Sequence, residues 1–199
     1  MRSIRLLAAA FIVSGFSAAT QANAQARITE TTRYYKVNGK TGMELLLDMN
    51  RKGPRHGFLT KAIAQTQFKT RFLGDIYYSN GYCSTRNGGY SVAITYVYPQ
   101  PEKPLSGVLA KRWRAFQATN VAHEREHGRI ARKMANAVAR KIRGFKVADK
   151  PGCRKSTAAL GREIDALIDA QNAEQAAFDK REHREHGPVE KSILALVRK

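Results

Sequence analysis

The polar and apolar positions in the first half of the chain follow the pattern of β-strands. Ile28 to Val37 is rich in Thr and Tyr, which suit a half-buried pleated surface. Residues 60 to 72 alternate loosely, and Tyr90 to Tyr98 has the composition of a longer strand. Asn80-Gly81 and Asn87-Gly88 are dipeptides typical of tight hairpin turns. This half is therefore predicted to be β-rich.

The second half has the spacing of helices. From about Ser106 to Arg143 there is no proline, and apolar side chains recur at steps of three and four. Gly144 is the predicted end of this helix, and a second helix is predicted from about Ser156 to the mid-180s, where Gly187-Pro188 ends it. A short helix is also predicted earlier, over Thr41 to Met49. The expected fold class is α+β, with the β-rich N-terminal half packed against two long C-terminal helices.

The first 24 residues have the features of an export signal. Met1 to Arg5 is a short basic head, Leu6 to Phe16 is mostly apolar, and Ala22-Asn23-Ala24 is a small-residue cleavage pattern. The apolar stretch is shorter than the about 20 residues that a membrane-spanning helix needs. We expect a signal peptide over residues 1–24, cleaved after Ala24, and a periplasmic or secreted protein in which residues 25–199 form a single domain. An uncleaved N-terminal anchor is the alternative.

Charge and cysteine content fit an exported protein. The 199 residues include 35 Lys and Arg against 16 Asp and Glu, a formal net charge of +19. This excess indicates attraction to anionic partners and says nothing about the fold. Cys83 and Cys153 are the only cysteines, and an oxidising compartment would pair them as a structural disulfide. Their spacing does not fit a C-x-x-C redox site, and their number does not fit a cysteine-rich zinc site.

The candidate chemistry lies in the first long predicted helix, at His123-Glu124-Arg125-Glu126-His127. Two histidines four residues apart project from the same face of a helix, so both imidazoles can reach one metal ion. Glu124 lies about 100° around the helix from His123, where it can take a proton from a zinc-activated water. The motif predicts a Zn²⁺ site with His123 and His127 as ligands and Glu124 as general base. Two exposed histidines on a solvated basic helix are the alternative.

A catalytic zinc site needs a third protein ligand. The first choice is His186, followed by His183 and then by Glu163. Both histidines lie near the predicted end of the second long helix, and two antiparallel helices can bring such a residue against His123 and His127. The alternative for this segment is a polar, frayed helix end of alternating charge.

Several further segments accompany the motif in one known family. They are Tyr34-Tyr35-Lys36-Val37, Gly42 to Leu46, Gly53-Pro54, Cys83, Thr95-Tyr96-Val97-Tyr98-Pro99, Trp113 and Cys153, followed by Phe178-Asp179 and His186-Gly187. With them the chain resembles the DUF922 family, described as predicted secreted Zn-dependent proteases, from about Tyr34 to Gly187. The resemblance implies that His123, His127 and a final histidine are the metal ligands and that Glu124 is the base.

Two positions depart from the family pattern. The family usually spaces the aspartate and the final histidine more tightly, with a threonine between them, where this chain has Lys180 to Glu185. The choice between His183 and His186 therefore stays open. The family commonly has glycine before the second motif histidine, where this chain has Glu126.

The outer faces of the first long helix are predicted to be basic. The residues concerned are Arg125, Arg129, Arg132, Lys133, Arg140, Lys141 and Arg143. If these faces bind a partner, an anionic envelope polymer or a membrane surface is favoured. Nucleic acid is not favoured, because the chain carries an export signal and the helix lacks interleaved aromatic residues. The first interpretation, however, is a solvated basic face without a partner.

One functional hypothesis and two alternatives follow. The hypothesis is a zinc-dependent metalloprotease that hydrolyses an amide bond in a peptide or protein substrate. The first alternative is an exported envelope-interaction or binding protein that uses its basic surface and carries structural zinc or none. The second is a zinc hydrolase of a non-peptide cell-wall amide. The oligomeric state stays open.

Overall fold

A computed structural model describes residues 26–56 and 60–198, and the predicted signal peptide lies outside these residues. The elements follow in the order β1 (Arg27–Val37), α1 (Gly42–Lys52), β2 (Arg55–His56), β3 (Thr60–Lys61), β4 (Gln65–Ser79), β5 (Tyr82–Pro101), α2 (Gly107–Arg143), β6 (Lys146–Ala148), α3 (Arg154–Glu182) and α4 (Pro188–Val197). A mixed sheet lies in the N-terminal half and the long helices lie in the C-terminal half, so the predicted α+β class is confirmed. Within the described residues, none of the helices combines the length and the apolar character needed to cross a bilayer.

The sheet is organised around β5. β1 pairs with β5 in parallel, β4 pairs with it antiparallel on the other side, and β6 pairs with its first residues. The turn between β4 and β5 is Asn80-Gly81, and both residues have positive φ angles, of 49° and 82°. Two-residue hairpin turns of this kind need positive φ at both positions, which Asn and Gly tolerate. The predicted hairpin at Asn80-Gly81 is therefore confirmed.

The second predicted hairpin, at Asn87-Gly88, is wrong. These residues lie inside β5, which runs for 20 residues, and the ladder with β4 continues on both sides of them. The register shifts between Leu73 and Asp75, so that two residues of β5 lie opposite Gly74. Asn87 and Gly74 adopt positive φ angles of 53° and 86°. Residues that suit a turn here form a β-bulge, which bends the long hairpin without ending it.

The two faces of the sheet have different surroundings. Val92, Ile94 and Tyr96 of β5 are buried on the side that packs against α2, which we call the inner face. Ala93, on the opposite side or outer face, is exposed although β5 is the central strand. Gly128 of α2 permits the close approach, because a Cβ atom at this position would lie 2.0 Å from the Tyr96 hydroxyl oxygen. The core therefore occupies one side of the sheet.

The helices and one covalent bond complete the fold. The Thr41 side chain caps α1 by accepting a hydrogen bond from the Glu44 N–H, and α2 ends at Gly144 as predicted. The predicted disulfide is confirmed, because Cys83 of β5 is bonded to Cys153 at the start of α3. It fixes the far end of the hairpin to the helical half. The C-terminal residues form α4, whose Leu196 packs in a second core cluster with residues of α1 and α2.

Candidate metal centre

The predicted motif lies in the middle of α2, at the bottom of a cleft of about 790 Å³. The cleft lies between β4, α2, α3 and α4, and His123, Glu124 and His127 all line it. The two imidazole rings have centroids 4.8 Å apart, and their Nε2 atoms lie 3.1 Å from each other. The helix therefore presents both histidines on one face, as their spacing predicts.

Helix α3 adds a carboxylate to this pair. Asp179 Oδ1 lies 3.4 Å from His123 Nε2 and 3.0 Å from His127 Nε2. Phe178, the preceding residue, packs against both rings, with centroids 4.8 Å from that of His123 and 5.0 Å from that of His127. Two nitrogen atoms and one carboxylate oxygen thus form a triangle with sides of 3.0 to 3.4 Å.

This triangle fits a zinc ion in both size and chemistry. Tetrahedral zinc with ligand distances of about 2.0 to 2.1 Å separates its ligand atoms by about 3.3 Å, and imidazole and carboxylate are ligands that zinc accepts. Burial, reinforced by the neighbouring His127 and His183, lowers the pKa of His123 to about 4. At neutral pH the His123 imidazole is therefore uncharged and retains a lone pair for a cation. Its Nδ1 atom is buried without a hydrogen-bond partner among the described residues.

His183, the second choice from the sequence, lies beside the triangle. It follows the last residue of α3, and its ring centroid is 5.3 Å from that of His123. One ligand atom each from His123, Asp179 and His183 all lie within 4.8 Å of one another. Because His183 is four residues after Asp179, both side chains project toward α2 from the same face of α3.

The first and third choices, His186 and Glu163, are not brought to this group. Helix α3 ends at Glu182, and the chain turns before α4 with His186 at a φ angle of 56°. The His186 imidazole is 77% exposed beside Glu185 and Glu190. Glu163 is exposed and forms an ion pair with Lys141 at 2.7 Å. It precedes Asp179 by 16 residues, or about 24 Å along the helix, and it cannot share a metal ion with that residue.

Glu124 is buried beside the triangle, with only 5% of its surface exposed. Its Oε2 atom accepts a hydrogen bond from the Thr66 hydroxyl at 2.6 Å, and Thr66 Oγ1 also lies 3.0 Å from the Glu124 carbonyl oxygen. Burial raises the pKa of Glu124, and the hydrogen bond from Thr66 opposes that effect. Strand β4 thus fixes the orientation of the predicted general base.

Gln175 of α3 holds the second motif histidine. Its Oε1 atom accepts a hydrogen bond from His127 Nδ1, and its Nε2 atom donates one to the His127 carbonyl oxygen at 3.1 Å. A proton on Nδ1 leaves the lone pair of His127 on Nε2, the atom that faces Asp179. The same residue therefore sets both the ring orientation and the tautomer.

Sequence reasoning missed three residues of this site: Thr66, Gln175 and Asp179. A signal for two of them exists, because Gln175, Asp179 and His183 are separated by four residues each and so share one face of α3. The family resemblance includes Asp179 only as part of the Phe178-Asp179 segment and does not make it a ligand. No local signal points to Thr66, since its contact with Glu124 joins residues 58 positions apart.

The basic face predicted on α2 is largely paired with acids. Arg129 contacts Glu126 and Glu174, and Lys133 contacts Glu174. Two further ion pairs are Arg132 with Glu30 and Lys141 with Glu163. Much of the charge on this helix is therefore balanced by carboxylates of α2, α3 and β1.

Comparison with known proteins gives a family and no function. Residues 32–187 match the family model described as bacterial protein of unknown function (DUF922). Nothing among curated proteins or solved structures matches the chain. The family match covers more than half of the sequence and includes every residue of the candidate metal centre. The chain therefore belongs to the DUF922 family.

Proposed function

We propose that this chain is a zinc-dependent metallopeptidase in which His123, His127 and Asp179 hold the metal. The observation that carries the proposal is the triangle of two Nε2 atoms and Oδ1, with sides of 3.0 to 3.4 Å, beside a buried glutamate. His183 lies next to this set, as a further ligand or as a donor to a substrate oxygen. Asp179 takes the place that the sequence assigned first to His186.

The residues divide the chemistry between them. When bound, zinc makes a coordinated water acidic and polarises the carbonyl of the scissile amide. The Glu124 carboxylate accepts the proton from the attacking water and returns it to the leaving amine. Thr66 holds Oε2 of this carboxylate, which leaves Oε1 to accept the proton. Gln175 keeps His127 in the tautomer whose Nε2 lone pair faces the metal.

The lining of the cleft supports a peptide substrate. Carboxamide side chains both donate and accept hydrogen bonds, as the N–H and C=O groups of an extended peptide require. Six of them line the cleft: Asn50, Gln65, Asn120, Gln171, Asn172 and Gln175. The volume of about 790 Å³ is in the range of about 300 to 1,000 Å³ that is usual for ligand sites.

The test measures metal content and hydrolysis on the same preparations of residues 25–199. We expect about one zinc per chain by mass spectrometry after reconstitution, and cleavage of members of a peptide library. The His123→Ala/His127→Ala double variant should lose the metal. Glu124→Gln should keep the metal and lose at least about 100-fold in kcat/KM, because it removes only the proton acceptor.

Glu126→Gln is the matched control. Glu126 belongs to the same motif and has the same side chain, but it pairs with Arg129 on the outside of α2. Its substitution should leave both zinc and activity close to those of the unmodified chain. Failure of the unmodified chain to retain zinc contradicts the proposal, and so does hydrolysis that is equal in the Glu124→Gln and unmodified chains.

A further inference from the structure

Two exposed tyrosines lie on the outer face near the tip of the β4–β5 hairpin. Tyr77 and Tyr82 are 40% and 45% exposed. The Arg86 guanidinium lies 5.7 Å from the ring centroid of Tyr77, and Lys146 Nζ lies 5.1 Å from that of Tyr82. The strand register places these residues on the same side of the sheet, because Tyr77 and Lys146 both lie opposite Ser84. These two tyrosines and two cations therefore share one face of the sheet.

Further cations continue this face along the strands. Arg27 of β1 and Arg71 of β4 both lie opposite Ser91, and Lys69 lies two positions from Arg71 on the same side of β4. Asp75, opposite Arg86, is the one acid at an outer position of this stretch of the described sheet. We call the whole set the basic hairpin surface: Arg27, Lys69, Arg71, Tyr77, Tyr82, Arg86 and Lys146.

The charge on this surface is not balanced as it is on α2. All five cations are exposed, and within residues 26–56 and 60–198 none of them forms an ion pair with a carboxylate. On α2, by contrast, Arg129, Arg132, Lys133 and Lys141 all contact carboxylates. The basic hairpin surface is therefore the stronger candidate for binding an anion.

We propose that the basic hairpin surface docks on an anionic lipid bilayer. A bilayer offers a flat sheet of negative charge, and the outer face is an open sheet whose central side chains here are as small as Ser91 and Ala93. Lys and Arg near such a surface are each attracted to anionic headgroups. Tyrosine is enriched at the membrane interface, because its ring is apolar and its hydroxyl is polar.

Docking in this way leaves the cleft accessible. The tyrosines lie toward the far end of the hairpin, because Tyr77 follows Thr66, which contacts Glu124, by 11 residues, or about 36 Å along the strand. The cleft also lies on the inner side of the sheet, between β4 and the helices. The docked chain would hold the candidate metal centre facing away from the lipid. Docking does not depend on the proposed hydrolysis, and either can fail alone.

The experiment is flotation of residues 25–199 with vesicles of one third phosphatidylglycerol and two thirds phosphatidylcholine, beside vesicles of phosphatidylcholine alone. We expect binding to the anionic vesicles at low salt and little binding to the neutral ones. The Lys69→Gln/Arg71→Gln/Arg86→Gln triple variant should lower the partition coefficient about 100-fold, since each cation contributes about fivefold. Thermal unfolding followed by circular dichroism checks that each variant is folded.

The control removes the same charge from α2. The Arg129→Gln/Lys133→Gln/Lys141→Gln variant should change vesicle binding little, because these side chains are paired and lie away from the outer face. An equal loss in the two triple variants would overturn the proposal, since binding would then follow net charge alone.

A second pair of measurements separates lipid from other polyanions. Tyr77→Ser/Tyr82→Ser should weaken vesicle binding several-fold and leave retention on heparin unchanged, because the rings insert among headgroups while the cations act in both cases. Retention on heparin or single-stranded DNA without binding to anionic vesicles would overturn the proposal, and it would assign the surface to a soluble polyanion.

Discussion

The inner and outer faces of the sheet are made by alternate residues of the same strands, yet they have different roles in the molecule. On β5, Ile94 is 1% exposed against α2, while its neighbour Ala93 is exposed on the other side. The inner face forms the core and, at the Thr66 end of β4, fixes the candidate general base. The outer face, from Ala93 toward the tip of the hairpin, exposes cations and tyrosines.

This difference shows why the total charge of the chain says little about where it binds. The sequence predicts seven basic residues on the outer faces of α2, but four of these meet carboxylates once the helices pack. Because these charges are paired within the fold, α2 is a weaker candidate for binding an anion than its composition suggests. The basic residues on the strands are fewer and more scattered in sequence, and the register collects them. Which charges remain unpaired is therefore decided by how the elements pack.

The largest expected effect is at the metal centre on the inner side. Asp179→Ala should lower the zinc affinity of residues 25–199 by more than about 100-fold, because the loss of a residue that only hydrogen-bonds a metal ligand already costs about 10- to 100-fold. His186→Ala should leave the affinity unchanged, because its imidazole is exposed and apart from the triangle. Titration with a competing chelator measures both variants. Equal losses in the two would return His186 to the ligand set.

The features of the fold and of the site that the sequence predicts are those set by local spacing. His123 and His127 must share a face once α2 is a helix, and Asn80-Gly81 makes a tight turn because both residues tolerate positive φ. Asp179 could not be assigned in the same way, because its position depends on how α3 packs on α2, 52 residues after His127.

The same distinction explains the wrong hairpin at Asn87-Gly88 and the position of His186. Asn87-Gly88 has the local chemistry of a hairpin turn, but the ladder on both sides of it continues and converts it to a bulge. His186 has the right side chain for zinc, but it follows the end of α3 and points to solvent. In both cases the residue type suits the predicted role, but the position that the tertiary structure gives the residue does not.

Adjacent substitutions on β5 compare the two faces directly. Ile94→Ala should lower the free energy of unfolding by about 3 kcal/mol, because it leaves a cavity against α2. Thr95→Ala, on the outer face, should lower it by about 0.5 kcal/mol, since it removes only the 3.1 Å hydroxyl contact with Thr31. Urea unfolding measures both. Similar losses would mean that the outer face is also covered.

Two helical glycines give the next comparison. Gly128→Ala should lower the free energy of unfolding by about 2 kcal/mol, because the new Cβ would lie 2.0 Å from the Tyr96 hydroxyl oxygen on the inner face. Gly161→Ala, in α3, should raise it by about 0.5 to 1 kcal/mol, since no atom lies within 4 Å of that Cβ and alanine favours a helix. Urea unfolding should therefore show changes of opposite sign in the free energy of unfolding of the two variants. A stabilised Gly128→Ala chain would contradict the packing of α2 on β5.

The smallest effect concerns a carboxylate between α1 and the end of β1. The Lys52 ammonium, with the Asn38 N–H and the Arg51 guanidinium, lowers the pKa of Asp48 from 3.8 to about 2 against the opposing effect of burial. Because the pKa of Asp48 is lower in the folded than in the unfolded chain, its ionised carboxylate stabilises the fold at pH values above about 4. This stabilisation is lost as the pH falls from about 4 to about 2. We expect Asp48 to contribute about 1.5 kcal/mol less at pH 2.5 than at pH 5. Urea unfolding of the unmodified and Asp48→Asn chains at both pH values isolates this contribution, and a difference between the chains that is the same at both would contradict it.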